Sequence, residues 1–151
     1  MIKGMHHVAI STANLERLCR FYCDHLGFKL LAEMEWEPGS ELGDQVDHIV
    51  GHQNTAAKIA MVSTGNMIIE MFEYRSPTPK TEETEWRGYD HGYTHMCLEV
   101  DDIDAAYDRL QKAGMTFRNT PPTKPYNGVR CLYGRDPEGH MIELIQIHPE
   151  S

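Results

Sequence analysis

No stretch of this chain is apolar for long enough to cross a bilayer, and its N-terminus carries no signal-peptide core. Positive charge is scarce: 14 lysines and arginines stand against 23 aspartates and glutamates, for a net charge of -9. That balance argues against nucleic acid and against anionic membrane as partners. The four cysteines, Cys19, Cys23, Cys97 and Cys131, show neither paired metal spacing nor the framework of a disulfide-stapled secreted domain. Cys19 and Cys23 fall one helical turn apart, which reads as reduced packing thiols. The expectation is a cytoplasmic protein.

What the chain does have is internal repetition. Its 151 residues, 40% apolar and 25% charged, suit one domain or two small modules sharing a core. Around residues 92–107 a strand runs straight into a helix. Tyr93, His95 and Cys97 share one strand face, and Met96, Leu98 and Val100 share the other. Asp102 is placed to cap a helix whose apolar positions are Ile103, Ala106, Leu110 and Ala113. The N-terminus repeats this plan, with Met5, His7, Ala9 and Ser11 on one face, Val8 and Ile10 on the other, and Asn14 as cap. A constant offset of 88 carries His7 onto His95 and Asn14 onto Asp102.

Taken in order, the first module reads as a strand Met5 to Ser11, a helix Asn14 to His25 stopped by Gly27, and a strand Lys29 to Trp36. Glu37 to Ala56 is polar, with glycines at 39, 43 and 51 and no sustained period, and is expected to be an irregular insertion. Two strands follow, Ala57 to Ser63 and Met67 to Tyr74, joined by the turn Thr64-Gly65-Asn66. Ser76 to His91 reads as a linker. The second module continues from its helix to a short strand Met115 to Arg118 and an irregular stretch fixed by Pro121, Pro122 and Pro125. Then come a strand Gly128 to Gly134, a type I turn Asp136 to Gly139, and a strand His140 to Ile147.

The last strands also match, now at an offset of 73. Met67-Ile68-Ile69-Glu70-Met71-Phe72 lies over His140-Met141-Ile142-Glu143-Leu144-Ile145. Fifteen more residues separate His7 from Glu70 than His95 from Glu143, and the excess falls at the insertion. A carboxylate amid Met, Ile, Leu and Phe is costly to desolvate unless it is paired or bound to a cation. Two histidines and two glutamates at matching positions of a duplicated unit therefore form a candidate His/Glu/His/Glu set, with no thiolate. Alternation sends His6 to the face opposite His7, and Glu73 to the face opposite Glu70. Asp47, His48 and His52 read as a solvated loop rather than a second metal cluster, and His25, His91 and His148 as surface or capping residues. Trp36, Trp86 and Tyr89 read as core or interface packing, with a pocket wall as the alternative. Lys58, Arg118, Lys124 and Arg130 are candidates for holding a substrate carboxylate or phosphate.

Met5-His6-His7-Val8-Ala9-Ile10, with the helix start Asn14-Leu15-Glu16-Arg17, resembles the opening of the vicinal oxygen chelate superfamily. So do the segments His95 to Ala105 and Asp136 to Leu144. This superfamily contains glyoxalase I, methylmalonyl-CoA epimerase, extradiol dioxygenases and fosfomycin- and bleomycin-resistance proteins. The resemblance implies an α+β fold in which two paired βαβββ modules form a cupped mixed sheet around a metal cavity, helices outside. It implies a single domain over 1–151, with module one at 3–75, a linker at 76–91 and module two at 92–149. It also implies that His7, Glu70, His95 and Glu143 bind one divalent ion (nickel, cobalt, manganese, iron, zinc or magnesium), with a small-molecule substrate and a homodimer. In ligand pattern the chain is nearest to glyoxalase I-like members. That implies a metal-dependent lyase or isomerase, glyoxalase- or epimerase-like, in which Glu70 or Glu143 moves a proton beside an oxygen that the metal polarises. The alternatives are an extradiol-type dioxygenase and a non-catalytic small-molecule binding or resistance protein.

Overall fold

Each helix of the repeat starts where a short polar side chain takes up its first unpaired amides. Asn14 accepts from the Arg17 amide at 2.9 Å, and Asp102 accepts from Asp104 and Ala105, both at 3.0 Å. Gly27, at φ 75°, closes the first helix in the left-handed conformation that glycine adopts without strain. The computed structural model describes residues 1–80 and 87–148. Trp86, with the rest of the linker segment 81–86, lies outside the described residues.

The chain divides into two compact units, Met1–Thr81 and Glu82–Ser151. Unit one holds β1 (Val8–Ser11), α1 (Leu15–Leu26), β2 (Lys29–Trp36), α2 (Glu41–Val50), β3 (Ala56–Thr64) and β4 (Met67–Ser76). Unit two holds β5 (Met96–Glu99), α3 (Ile103–Lys112), β6 (Thr116–Phe117), β7 (Val129–Arg135) and β8 (Met141–Ile147). The two expected βαβββ modules form two mixed four-stranded sheets, ordered β1-β4-β3-β2 and β5-β8-β7-β6. In each, the first strand runs parallel to the last and the other neighbours are antiparallel. Both units follow the βαβββ plan, and unit one carries an extra helix. Among the described residues no helix is long and apolar enough to cross a membrane.

One face of each sheet is closed by the helix between its first two strands. Leu18 and Tyr22 of α1 are fully buried, as are Ala60, Val62, Ile69 and Met71 on the sheet beneath. In unit two, Ile103 and Leu110 are buried with Ile142 and Leu144. Each such side chain contributes roughly 1.5–3 kcal/mol by leaving water. The last strand also pins its helix: Glu73 Oε2 accepts the Leu15 amide at 2.7 Å, and Gln146 Oε1 accepts the Ile103 amide at 3.2 Å. These partners are related by the same two offsets, 88 and 73, that relate the histidines and the glutamates.

Residues 37–56 are not an irregular loop. Ser40 caps α2 by accepting the Gly43 amide at 2.9 Å, and Gly51, at φ 72°, ends it. Gly43 leaves no room for a methyl group beside the Glu37 carbonyl. The glycines that suggest a broken chain are thus the means of turning a helix in and out of the sheet. Val46 of α2 packs on a cluster of Trp36, Ala57 and Ile59, together with Phe72 and Tyr74. The strand register puts that cluster on the face that carries Glu70. This helix therefore does not lie outside with α1; it covers part of the opposite face. Asp47 is structural: its carboxylate accepts the Asn54 amide at 2.6 Å and the Thr55 amide at 2.9 Å, and bonds the Thr55 hydroxyl. Thr55 in turn accepts the Trp36 indole N–H at 3.0 Å. His48 and His52 are exposed.

Trp36 is 3% exposed and joins α2, β2 and β3. Replacing it with alanine is expected to lower unfolding free energy by about 3–5 kcal/mol in urea titration. A loss below about 1 kcal/mol would show that α2 is not held through this cluster.

Candidate functional site

In each unit the candidate residues lie on the sheet face that the unit's first helix leaves open. His7 stands one residue before β1, and Glu70 lies on β4, opposite Ala9 in the parallel ladder. This register brings His7 Nε2 to 3.4 Å from Glu70 Oε2, with the carboxylate side chain only 19% exposed. His95 and Glu143 repeat the arrangement. His95 stands one residue before β5, Glu143 lies opposite Cys97, and Nε2 meets Oε2 at 3.0 Å with the carboxylate 14% exposed. The structure thus joins the four predicted residues as two pairs, one in each unit.

His6 departs from the sequence reading. The strand begins only at Val8, so alternation does not govern His6, and its Nδ1 lies 2.8 Å from His7 Nδ1. In unit two the corresponding ring nitrogen, His95 Nδ1, lies 2.9 Å from Thr94 Oγ1. Each histidine therefore has a neighbour that can accept a hydrogen bond from a protonated Nδ1. That tautomer leaves the Nε2 lone pair directed to the carboxylate side.

The two glutamates have different surroundings. Cys97, Cys131 and Tyr133 lie beside Glu143, Cys97 and Tyr133 as its direct partners in the two ladders. Burial pushes the Cys97 thiol up to about 11, and the negative charge of Glu143 adds to this. Cys131 and Tyr133 are raised in the same way, with burial again the largest cause. The edge of the Tyr133 ring also faces His95, with centroids 4.9 Å apart. In unit one Ala9 and Met61 stand opposite Glu70, so those ladder positions offer it no side-chain donor. The sequence reading missed Cys131 and Tyr133, because only the β7–β8 register places them beside Glu143.

Among the described residues no group of three or more His, Cys, Asp or Glu side chains is gathered around one point. The chemistry of each pair nonetheless fits a divalent ion. Two donors bound to one ion at about 2.1 Å and at right angles stand about 3 Å apart. The observed separations of 3.4 and 3.0 Å match such an edge. Neutral imidazole with carboxylate suits zinc, iron, nickel, cobalt and manganese.

The candidate anion-holding cations sort clearly. Arg130 is committed to Asp104 through two bonds of 2.8 Å and to the Pro122 carbonyl at 2.7 Å. Lys58 is exposed and pairs in register with Glu73, on the face away from Glu70. Lys124 is exposed in the connection before β7. Arg118 alone of the four lines a cavity of about 540 Å³ in unit two, whose wall includes His95, Cys131 and Tyr133.

Comparison with known proteins places the chain in a family. The family described as the Glyoxalase/Bleomycin resistance protein/Dioxygenase superfamily matches residues 4–144. An ethylmalonyl-CoA/methylmalonyl-CoA epimerase from Cereibacter sphaeroides is 31% identical, over 97% of this chain and 100% of its own. A probable lactoylglutathione lyase from Synechocystis sp. is 26% identical, over 93% of this chain and 92% of its own. A crystal structure of a glyoxalase family protein from Bacillus cereus shares the fold, with a TM-score of 0.85 at 23% identity, covering 98% of this chain and 96% of that one. The repeat read from the sequence is therefore the repeat of a known family, and the chain belongs to the glyoxalase/bleomycin resistance protein/dioxygenase superfamily.

Proposed function

We propose that this protein is a divalent-metal-dependent lyase or isomerase that moves a proton on a small oxygenated substrate. The observation that carries the reading is the paired His–Glu contact, repeated at one register in both units. His7, Glu70, His95 and Glu143 would hold the ion. When bound, it supplies Lewis-acid polarisation of a substrate oxygen, which acidifies the neighbouring C–H. Relatives named as an epimerase and as a lyase support a reaction of this type.

The chain's own residues divide the remaining work. The Nδ1 partners of His7 and His95 set the tautomer and orientation of each ring. Glu70 and Glu143 are the carboxylates that take up and return the proton. Their shielding from water raises the value of every charge interaction between them and substrate. Cys97, Cys131 and Tyr133 flank the Glu143 carboxylate and shield it. The α2 helix walls part of the Glu70 face through Val46.

Elemental analysis of protein purified without chelator is expected to find a divalent metal, and His95→Ala to lower that content at least tenfold. Unchanged metal content in the variant would place the ion elsewhere. Solvent deuterium is expected to enter a 2-hydroxy carbonyl compound or an acyl-CoA ester in the presence of the metal-loaded protein. Glu70→Gln and Glu143→Gln should each slow that exchange by about 10²–10⁴-fold. Exchange that survives both substitutions would remove the carboxylates from the mechanism.

The functional form in this reading is a homodimer. β2 is an edge strand of the first sheet, with Leu30, Leu31 and Met34 exposed. Such an edge invites cover by another chain. Sedimentation is expected to give twice the 17.3 kDa chain mass at micromolar concentration. A monomer that persists there would count against pairing.

A further inference from the structure

Cys19 and Cys23 are not the packing thiols that their helical spacing suggests. Free cysteine is among the residues most often fully buried. Here the core side of α1 is taken by Leu15, Leu18, Phe21 and Tyr22, all buried. Both cysteines are free and stand half-buried on the flank of the helix. Glu33 on the edge strand β2, opposite the buried Ala60, is near enough to act on the Cys19 thiol by its charge. The flank that carries the pair therefore overhangs the edge of the first sheet.

The two thiols also act on each other. Burial pushes the Cys19 thiol up to about 11, Cys23 is the next cause, and the charges of Glu33 and Asp24 add to it. A thiol held protonated reacts poorly with peroxides and disulfides, which require thiolate. Helix geometry disfavours a disulfide as well. The helix α1 runs unbroken from Leu15 to Leu26, and Cβ atoms four residues apart on a helix stand about 5–6 Å from each other. A disulfide needs about 3.5–4.5 Å, so the turn would have to unwind.

A single atom bonded to both sulfurs meets no such obstacle. Two bonds of about 2.3 Å, the length of a zinc–thiolate bond, hold sulfurs about 3.3–4.6 Å apart as the angle opens from square to linear. Once one sulfur is bound, the second bond closes within the molecule at high effective concentration. Zinc asks for four ligands and for deprotonated thiols. Among the described residues no third His, Cys, Asp or Glu gathers with the pair at one point. A trivalent arsenical asks for only two sulfurs, its third position being filled by its own substituent.

We propose that Cys19 and Cys23 form a helical dithiol site for a trivalent arsenical, which bridges the two sulfurs across one turn of α1. The pair lies on the helix side of the first sheet, away from Glu70, and does not rest on the metal-dependent reading above. With a monosubstituted arsenoxide, both S–H bonds and the As–O bond break and two As–S bonds form. The oxygen leaves as water with both protons. Arsenic stays trivalent throughout, so no oxidant or reductant takes part.

The test uses phenylarsine oxide at one equivalent with the full-length protein. Intact mass is expected to show one phenylarsenic group per chain, and thiol titration the loss of two of the four free thiols. Trypsin cuts after Arg17, Arg20 and Lys29, so the bridge should join residues 18–20 and 21–29 in one mass. Cys19→Ser and Cys23→Ser should each weaken binding at least about 100-fold in competition with ethanedithiol, because one thiol cannot chelate. Circular dichroism checks the fold of each variant; should neither fold, the digest of the unaltered protein decides alone. Absence of an adduct, a bridge mapped to Cys97 and Cys131, or undiminished binding by folded Cys19→Ser protein overturns the site.

Discussion

A strand can serve two faces, but a single helix can close only one of them, and the organisation of both units depends on that constraint. The last strand of each unit shows it most directly. On β4, Ile69 and Met71 point under α1 while Glu70 points to the open face. On β8, Ile142 and Leu144 lie under α3 and Glu143 points away. The helix face is dry and needs apolar side chains; the open face can carry carboxylates because they have partners there. Glu73 and Gln146 then return to the helix side, where they bond its first amide. A shift of one residue in register would bury Glu70 under α1 and break the cap together with the core.

Much of this was legible from local pattern. The apolar faces, the caps at Asn14 and Asp102 and the stop at Gly27 depend on a few neighbouring residues, and the structure has all of them. The two offsets pointed to the His–Glu pairs because a duplicated fold repeats its registers. Other features depend on contacts that no local pattern reports. The insertion hid a helix because Gly43 and Gly51 read as breaks, although one fits a tight approach and the other ends α2. Ser40 as cap and Leu42 with Val46 at helical spacing were the available signals. Tyr133 reaches Glu143 only through cross-strand pairing fixed once the sheet forms.

Family membership sets the plan without setting the reaction. Proteins of this family include ones named as epimerases and as lyases at comparable distance from this chain. Function lives in the site rather than in the fold, so the reaction of this chain is to be read from its open faces. Those faces carry thiols and a phenol around one glutamate.

The equal division of the His–Glu pairs also has a consequence for symmetry. In the proposed reading each unit supplies half of a four-donor set, so a protein of one unit would need a second, identical copy to complete it. In such an assembly both glutamates would have the same neighbours. Joining two units in one chain removes that symmetry. Ala9 and Met61 stand beside one carboxylate while Cys97 and Tyr133 stand beside the other. Two carboxylates at one register position can thus have unequal neighbours on the same backbone plan.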